Sequence, residues 1–248
     1  MTIARQFAAV VGLIVSVAFA SCAFAQSDDP FEKANKDFAQ GQFQDAIKGY
    51  QGLVGAGQWS TSLFYNLGNA YFRAADFGHA ILNYERALAL DPHHPEATAN
   101  LSVARDEARA LELQKSRDER FLKFVTPNQI AIGAAVALWV GVFAVAGIIL
   151  ARRRFAMLVV IAILAFCVGA VAIAALYRID KVSSGLAVVT DHAVEARLAT
   201  ADNARSVLLL PPGSEIQVLS RRGDWVYATL PNNLRGWIPN KAVESVRL

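Results

Sequence analysis

Two long apolar runs dominate the hydrophobic pattern of the chain. Residues 129–150 and 155–177 contain no charged side chain. Each run exceeds the ~20 residues that a helix needs to cross the ~30 Å hydrocarbon core of a bilayer. A core helix of a soluble protein normally keeps one polar face. We therefore predict two transmembrane helices, joined by the short turn 151–154. Residues 126–129 (Thr-Pro-Asn-Gln) predict a capped start for the first of them.

A third apolar run lies at the start of the chain. Residues 1–25 combine Arg5 with the apolar stretch Phe7–Ala20 and with small side chains at Ala23 and Ala25. This arrangement is typical of a secretory signal peptide, and we predict cleavage after Ala25. Two alternatives remain open: an uncleaved anchor helix, and lipidation at Cys22, since the four residues that end there resemble a lipobox.

Charge in the turn between the two long runs predicts the orientation in the membrane. The turn carries Arg152, Arg153 and Arg154, and positive residues favour the cytoplasmic side. A signal sends the chain outward, the first helix returns it, and the second sends it out again. We therefore predict a protein of the bacterial inner membrane, with both soluble regions in the periplasm and the Arg152–Arg154 turn in the cytoplasm.

Residues 26–120 contain an internal repeat with a period of 34 residues, the length typical of two-helix repeats. Asn35 recurs as Asn69, and Tyr50 recurs as Tyr84. The second unit contains small and aromatic residues at fixed spacing, namely Leu67, Gly68, Tyr71, Ala80, Tyr84, Ala87 and Pro92. This pattern resembles the tetratricopeptide repeat (TPR), which implies an α-helical solenoid.

Local signals place the helices of this repeat. Asp29 followed by Pro30 predicts a capped helix start. Gly68 and Ala80 are small, so we expect two helices to cross closely there. A third unit contributes one helix from about Pro95, and we expect it to continue to about Arg120 and cap the array.

Stacked repeats of this kind present the inner faces of their first helices as a groove. The residues that we predict on this face are Phe31, Asn35, Phe38, Tyr65, Asn69, Phe72 and Arg73. Phe38 and Phe72 could equally serve only to pack the repeats together. Asn69 and Arg73 lie one helical turn apart, and we expect neither to be needed for packing between repeats.

The resemblance also bears on what the groove binds. Some TPR proteins hold a partner's C-terminal carboxylates through two asparagines and three basic residues. Asn35 and Asn66 match the asparagine positions, but the basic positions hold Phe31, Glu96 and Asn100. The groove is therefore expected to prefer an apolar or mixed segment.

The last region, 185–248, has short strands separated by turn residues, which predicts a small all-β barrel. The predicted strands are 186–190, 193–198, 206–210, 215–220, 225–230 and 234–238. The motifs 223–226 (Gly-Asp-Trp-Val) and 236–239 (Gly-Trp-Ile-Pro) resemble a bacterial SH3 domain. That resemblance implies a binding surface made of Trp225, Tyr227, Trp237 and Pro239. Packing of Trp225 and Trp237 in the core and rim remains the alternative.

Composition excludes several classes of function. The net charge of +3 is small, and the absence of a basic stripe argues against nucleic-acid binding. The two cysteines, Cys22 and Cys167, both lie in apolar runs and form no disulfide framework or metal motif. The chain has no phosphate loop, nucleophile motif or paired-acid signature. We predict a non-enzymatic protein without cofactor or metal.

The order of signal, TPR array, transmembrane hairpin and SH3-like module resembles the BatE-like proteins of aerotolerance operons. The resemblance implies partners that are membrane proteins with von Willebrand factor A domains, together with a MoxR-type AAA+ ATPase. We expect a membrane-anchored envelope scaffold in oxidative or aerotolerance stress protection. The alternative is a cell-wall protein whose SH3-like module binds peptidoglycan while the repeats are structural.

Overall fold

The computed structural model describes residues 29–114, 126–150 and 156–248. The predicted signal peptide, with Cys22 and Ala25, and the Arg152–Arg154 turn lie outside the described residues. The helices are α1 Pro30–Ala39, α2 Phe43–Gly55, α3 Thr61–Arg73, α4 Phe77–Leu90, α5 Pro95–Ala108, α6 Pro127–Leu150 and α7 Ala156–Gly185. The strands are β1 Leu186–Val189, β2 Val194–Arg197, β3 Ser206–Leu210, β4 Glu215–Arg222, β5 Trp225–Thr229, β6 Arg235–Pro239 and β7 Val243–Ser245.

Helices α1 to α5 form the TPR-like array, and side-chain caps begin four of them, including His94 Nδ1, which accepts from Ala97 N–H at the start of α5. Asp29 accepts a hydrogen bond from the backbone N–H of Phe31 at 3.1 Å, as the sequence predicts. Ser60 caps α3 by accepting from Leu63 N–H, and Asp76 caps α4 by accepting from His79 N–H. These caps satisfy backbone donors that a helix start leaves unpaired.

Small residues allow α3 and α4 to cross at close range. A methyl group on Gly68 would lie 2.7 Å from the ring of Tyr84. Ala80 is fully buried on the facing helix. Since an added side chain would push against a buried ring, both positions must stay small, as the repeat pattern predicts.

The end of α5 differs from the prediction. The helix stops at Ala108 because Arg109 takes a left-handed conformation with φ of 51°. Residues 110–114 then run along the sheet: the carbonyl of Leu111 accepts from Glu215 N–H at 2.9 Å, and Leu111 N–H donates to Ser214 Oγ. The predicted helix from 109 to 114 is therefore wrong, and residues 115–120 lie outside the described part.

Helices α6 and α7 pack against each other through small residues and turn large apolar ones outward. The buried positions are Ala134, Gly141, Ala144, Ala162, Ala165 and Gly169. Trp139, Phe143 and Ile149 are more than half exposed. This inside-out pattern is typical of helices packed in lipid. Both helices are long and apolar enough to cross a membrane by length and composition.

Helix α7 extends beyond the predicted span 155–177 and ends at Gly185, directly before strand β1. Side chains from the sheet hold this extension. Gln217 Nε2 donates to the carbonyl of Val182 at 3.1 Å, and Arg247 donates to Asp180 at 2.5 Å. The sheet is thus fixed to the last turns of the helix.

The seven strands form one antiparallel sheet in the order β3-β2-β6-β5-β4-β1-β7. Its apolar core includes Val189, Ile216, Val226, Leu230 and Ile238. Strand β7 and the 3₁₀ turn Asn240–Ala242 that precedes it are absent from the prediction. Among the described residues no backbone pairing joins the edge strands β3 and β7, so the structure shows a sheet but not the closed SH3-like barrel expected.

The sheet docks against the helical array through strand β1. Ala187 and Val189 lie in the core of the sheet, whereas Val188 and Val246 belong to the core of the helices. Helix α4 approaches so closely that a methyl group on Gly78 would lie 2.8 Å from the carbonyl oxygen of Thr190. The continuous apolar sequence Leu186–Val189 fits this docking of β1, because a strand that is buried on both faces lacks alternating polar residues.

Candidate functional site

Two hydrogen-bonded triads of the same composition recur along the groove, one repeat apart. In the first, the Tyr50 hydroxyl donates to Asn35 Oδ1 at 2.7 Å, and Asn66 Nδ2 donates to the same oxygen at 3.1 Å. In the second, the Tyr84 hydroxyl and Asn100 Nδ2 donate to Asn69 Oδ1, at 2.7 and 2.9 Å. Each triad joins the first helices of consecutive repeats through the tyrosine of the intervening helix.

A cavity of about 290 Å³ opens on the second triad. Its lining comes from α1, α3, α4 and α5 and consists of Phe38, Asn69, Phe72, Arg73, Tyr84, Asn100 and Val103. The wall is apolar, the floor carries amide and hydroxyl groups, and one cation is present. We call this space the groove cavity.

Four of the seven predicted groove residues, Phe38, Asn69, Phe72 and Arg73, line this cavity. The two phenylalanines have a packing role as well. The ring of Phe38 meets that of Phe43 edge to face at 5.6 Å, and Phe72 meets Phe77 in the same way at 5.5 Å. Each pair joins the first helix of a repeat to the second. The geometry is therefore compatible both with contact to a partner in the groove and with a packing role for the two phenylalanines.

The other three predicted residues lie outside the cavity lining. Phe31 packs its ring 5.9 Å from that of Tyr50, and Asn35 is engaged in the first triad. Tyr65 lies between Tyr84 and His94, at 6.2 and 5.1 Å between ring centres. They support the groove from neighbouring positions.

The sequence analysis missed Tyr84, Asn100 and Val103 as lining residues. The 34-residue period was the available signal, because Asn100 stands one repeat after Asn66 and Tyr84 one repeat after Tyr50. Only packing of α5 against α3 brings Val103 to the cavity.

The expectation that Asn69 is dispensable for packing is wrong. Its Oδ1 atom is the acceptor for the hydroxyl of Tyr84, a side chain that is 1% exposed. Burial raises the pKa of Tyr84, so this hydroxyl remains a neutral donor. Without Asn69 a buried donor would lose its acceptor, which is costly.

Arg73 has a different environment from Asn69. It is exposed at the rim of the groove cavity, and its guanidinium carbon lies 4.8 Å from the centre of the Phe43 ring, in cation–π contact. No carboxylate pairs with it among the described residues. Arg73 is therefore a cation held in place by an aromatic ring and free to meet an acidic group.

The four predicted residues of the β region share one face of strands β5 and β6. Trp225 lies opposite Pro239, and Tyr227 lies opposite Trp237. The rings of Tyr227 and Trp237 are 4.9 Å apart between centres. All four side chains are half-buried and alternate with the buried residues of the core, so three aromatic rings and a proline form a continuous strip on the outer face of the sheet, which we call the aromatic strip.

Arginines border this aromatic strip. Arg197 of β2 lies opposite Trp237, and Arg222 of β4 lies opposite Trp225. Residues directly opposite each other in an antiparallel sheet share a face. The outer face therefore combines the tilted Tyr227–Trp237 ring pair with arginine side chains, of which Arg197 is paired with Glu195.

A charged cluster lies where the array meets the sheet. Arg86 Nη2 donates to Glu244 Oε2 at 3.1 Å and to the carbonyl of Ser245 at 3.0 Å. His79 Nε2 lies 3.5 Å from Glu244 Oε1, and His79 Nδ1 lies 2.8 Å from Asp76 Oδ2. The cluster joins helix α4 to strand β7.

Electrostatics at this cluster favour the charged forms. Burial lowers the pKa of His79, but the carboxylates of Asp76 and Glu244 outweigh it and raise the pKa to about 9. The hydrogen bond from His79, helped by Arg86, lowers the pKa of Glu244. At neutral pH the histidine is therefore a cation between two carboxylates.

A second set of charges ties the end of α5 to the sheet. Arg105 contacts Glu85 at 2.5 Å and Glu112 at 3.5 Å, and it also bonds the buried carboxylate of Glu215. The other oxygen of Glu215 accepts from Leu113 N–H at 3.2 Å. Within residues 29–114, 126–150 and 156–248, no group of three or more His, Cys, Asp or Glu side chains is arranged to hold a metal ion.

Comparisons with known proteins agree with the helical architecture. The family model of the tetratricopeptide repeat matches residues 62–94, which span α3, α4 and their connections. RNA polymerase II-associated protein 3 of Homo sapiens is 34% identical over 97 residues, covering 39% of this chain and 14% of that protein. The protein of the same name from Mus musculus is 32% identical over 97 residues, covering 39% of this chain and 15% of that protein.

The chain thus spans about one seventh of the length of these two relatives. TPR repeats are typical of non-enzymatic scaffold proteins, and the match supports a role in protein interaction. The chain contains a tetratricopeptide repeat within a helical array, followed by two apolar helices and an antiparallel sheet.

Proposed function

We propose that the protein is a non-enzymatic scaffold whose groove binds segments of partner proteins. The observation that carries this proposal is the groove cavity, in which apolar walls meet amide groups and an unpaired cation. The sheet docks mainly on α4, through Gly78, His79 and Arg86. This leaves the inner faces of α1, α3 and α5 open to a partner.

Site-specific photocrosslinking in cells tests this proposal. A photoreactive amino acid replaces Val103, which lines the cavity and is 50% exposed. The matched control replaces Leu90, which is 51% exposed at the end of α4 and is not part of the lining. A groove that binds partners gives protein adducts from position 103 that are missing from position 90. Identical adduct patterns at the two positions would contradict groove binding.

We further propose that α6 and α7 anchor the protein in the bacterial inner membrane, with the array and the sheet in the periplasm and the Arg152–Arg154 turn in the cytoplasm. The outward-facing Trp139 and Phe143 support membrane insertion. Packing of Val188 from the sheet in the helical core supports one shared side for both soluble regions. Helices α6 and α7, which lie between these regions, would then each cross the membrane once.

Reporter fusions test this topology. A reporter active only in the periplasm should work after Leu248, and a cytoplasmic reporter should work within 151–154. Periplasmic activity from the turn fusion would contradict the arrangement.

The resemblance to BatE-like proteins suggests which partners to test first. These are membrane proteins with von Willebrand factor A domains and a MoxR-type AAA+ ATPase, in a role in aerotolerance or oxidative stress protection. Mass spectrometry of the position-103 adducts would identify such proteins directly.

A second candidate function is binding of peptidoglycan by the sheet, which would act as an SH3-like module. The aromatic strip of Trp225, Tyr227, Trp237 and Pro239 favours it, because flat apolar rings are suited to stacking on sugar rings. Pelleting of the protein with purified cell-wall material tests this function. Loss of pelleting in Trp237→Ala, but not in the groove variant Arg73→Ala, would support wall binding; equal pelleting of both would contradict it.

A further inference from the structure

The two triads of the groove have the same composition but different neighbours. In the first repeat, the position after Phe38 is Ala39; in the second, the position after Phe72 is Arg73. Val103 borders the second triad. The equivalent position for the first triad, 34 residues earlier, is the polar residue Asn69. The second triad alone therefore combines a neighbouring cation with an additional apolar wall.

The cation is suited to a carboxylate. The guanidinium of Arg73 stacks on Phe43 and pairs with no carboxylate among the described residues. None of the lining residues is acidic. Asp76, three positions after Arg73 in the chain, is held by His79. An arginine offers planar paired donors that match a carboxylate in geometry and charge.

The groove cavity is sized for one large side chain. Its volume of about 290 Å³ is at the lower limit of ligand pockets, which measure ~300–1,000 Å³. Phe38, Phe72 and Val103 surround this space. A leucine or an aromatic side chain of a partner would bury its surface there.

The amides can bind the backbone of the same partner. Asn69 uses Oδ1 and Asn100 uses Nδ2 within the triad. Among the described residues, Asn69 Nδ2 and Asn100 Oδ1 have no hydrogen-bond partner. One free donor and one free acceptor match the carbonyl and N–H groups of an extended peptide.

We infer that the groove cavity selects an extended protein segment in which a large apolar side chain stands next to Asp or Glu. The apolar side chain enters between Phe38, Phe72 and Val103, and the carboxylate pairs with Arg73. This inference rests on the proposed function of the groove and adds the chemistry of the partner segment.

Peptide selection on the full-length protein in detergent micelles tests the inference. A random heptapeptide phage library is selected against the wild-type protein, against Arg73→Glu, and against Lys48→Glu. Lys48 is an exposed lysine on α2, outside the cavity lining, and serves as the charge-reversal control. The wild type and Lys48→Glu should enrich peptides with a large apolar residue beside an acidic one, whereas Arg73→Glu should lose this acidic preference.

Binding of one selected peptide gives the size of the effect. Changing its acidic residue to the corresponding amide should weaken binding to the wild type roughly tenfold, as expected for the loss of a charge-assisted hydrogen bond. The same change should leave binding to Arg73→Glu unweakened. Fluorescence anisotropy measures both, and circular dichroism confirms that the variants are folded.

A blocking variant separates failure of the inference from failure of the proposed function. Val103→Trp fills the cavity from a half-exposed position and should abolish peptide binding. Peptides that bind this variant normally, or a selection that yields no peptides, would overturn groove binding itself. Peptides that Val103→Trp excludes but that show no acidic preference would overturn only the inference about Arg73.

Discussion

Arg86 in helix α4 and Glu244 in strand β7 are 158 positions apart in the chain, yet their Nη2 and Oε2 atoms are 3.1 Å apart. The side chain of Arg86 is only 10% exposed, whereas that of Glu244 is 44% exposed. Arg86 also donates to the carbonyl of Ser245. This ion pair adds polar contacts to the apolar contact that Val188 and Val246 make with the helical core.

Removal of the carboxylate should weaken this junction. Glu244→Gln leaves Arg86 buried without its counter-charge, and we expect a loss of about 1–3 kcal/mol in the free energy of unfolding. Fully buried pairs cost more when broken, but Glu244 is partly solvated, which reduces the effect. Chemical denaturation of the full-length protein in detergent measures this loss.

The control is Glu195→Gln, which removes a more exposed ion pair with Arg197 and should change stability by less than about 0.5 kcal/mol. Equal losses in the two variants would contradict the role of the junction.

The junction should also give stability a defined pH dependence. The folded pKa of His79 is about 9, above its unfolded value of ~6.5. Its stabilising contribution is therefore complete below about pH 6.5, declines as the pH rises, and is lost above about pH 9.

The lowered pKa values of Asp76 and Glu244 give stability the opposite dependence on pH. Their contribution is present above their unfolded values of ~4 and is lost as the pH falls through their folded values.

Denaturation curves at a series of pH values, for the wild type and for His79→Gln, test this dependence. The wild type should lose stability between pH 6.5 and 9 relative to the variant. A constant difference between the two proteins over this range would show that His79 does not titrate at the junction.

Two glycines of the array should respond to alanine in opposite directions. Gly68→Ala places a methyl group against the ring of Tyr84 and should destabilise the protein by about 1–3 kcal/mol. Gly52, within α2, has open space around it. Gly52→Ala should stabilise the helix by about 0.5–1 kcal/mol, because alanine loses less conformational entropy on folding. Thermal melts of the two variants should shift in opposite directions, and a fall in both would mean that α2 does not accommodate alanine at position 52.

Alanine at Asn69 and alanine at Arg73 should differ in their effect on the free energy of unfolding, although the two residues lie one helical turn apart. Asn69→Ala removes the acceptor of the buried Tyr84 hydroxyl and should cost about 1–3 kcal/mol of stability. Arg73→Ala removes an exposed side chain and should stay within about 0.5 kcal/mol. Denaturation measures both. An equal loss of stability in the two variants would mean that the contact of Arg73 with Phe43 is structural.

The sequence alone determined the local elements and their order. The 34-residue period predicted tetratricopeptide repeats, and the family match confirms one of them over residues 62–94. Thr126 and Gln129 form the reciprocal cap expected before the first apolar helix, and strand β3 has its predicted bounds, Ser206–Leu210. These features depend on residues close in the chain, whose periodicity and caps carry their own signal.

The tertiary structure alone decided how the parts meet. The pairing of Leu111 with Ser214 and Glu215, the docking of Val188 into the helical core and the partnership of Arg86 with Glu244 all join segments that are far apart in sequence. The same holds for Asn69, whose residue type suggested a free groove position until Tyr84 and Asn100 were brought to it. Such contacts depend on complementary shape and charge between distant surfaces, and neither hydrophobic periodicity nor local propensity encodes which distant residue will be the partner.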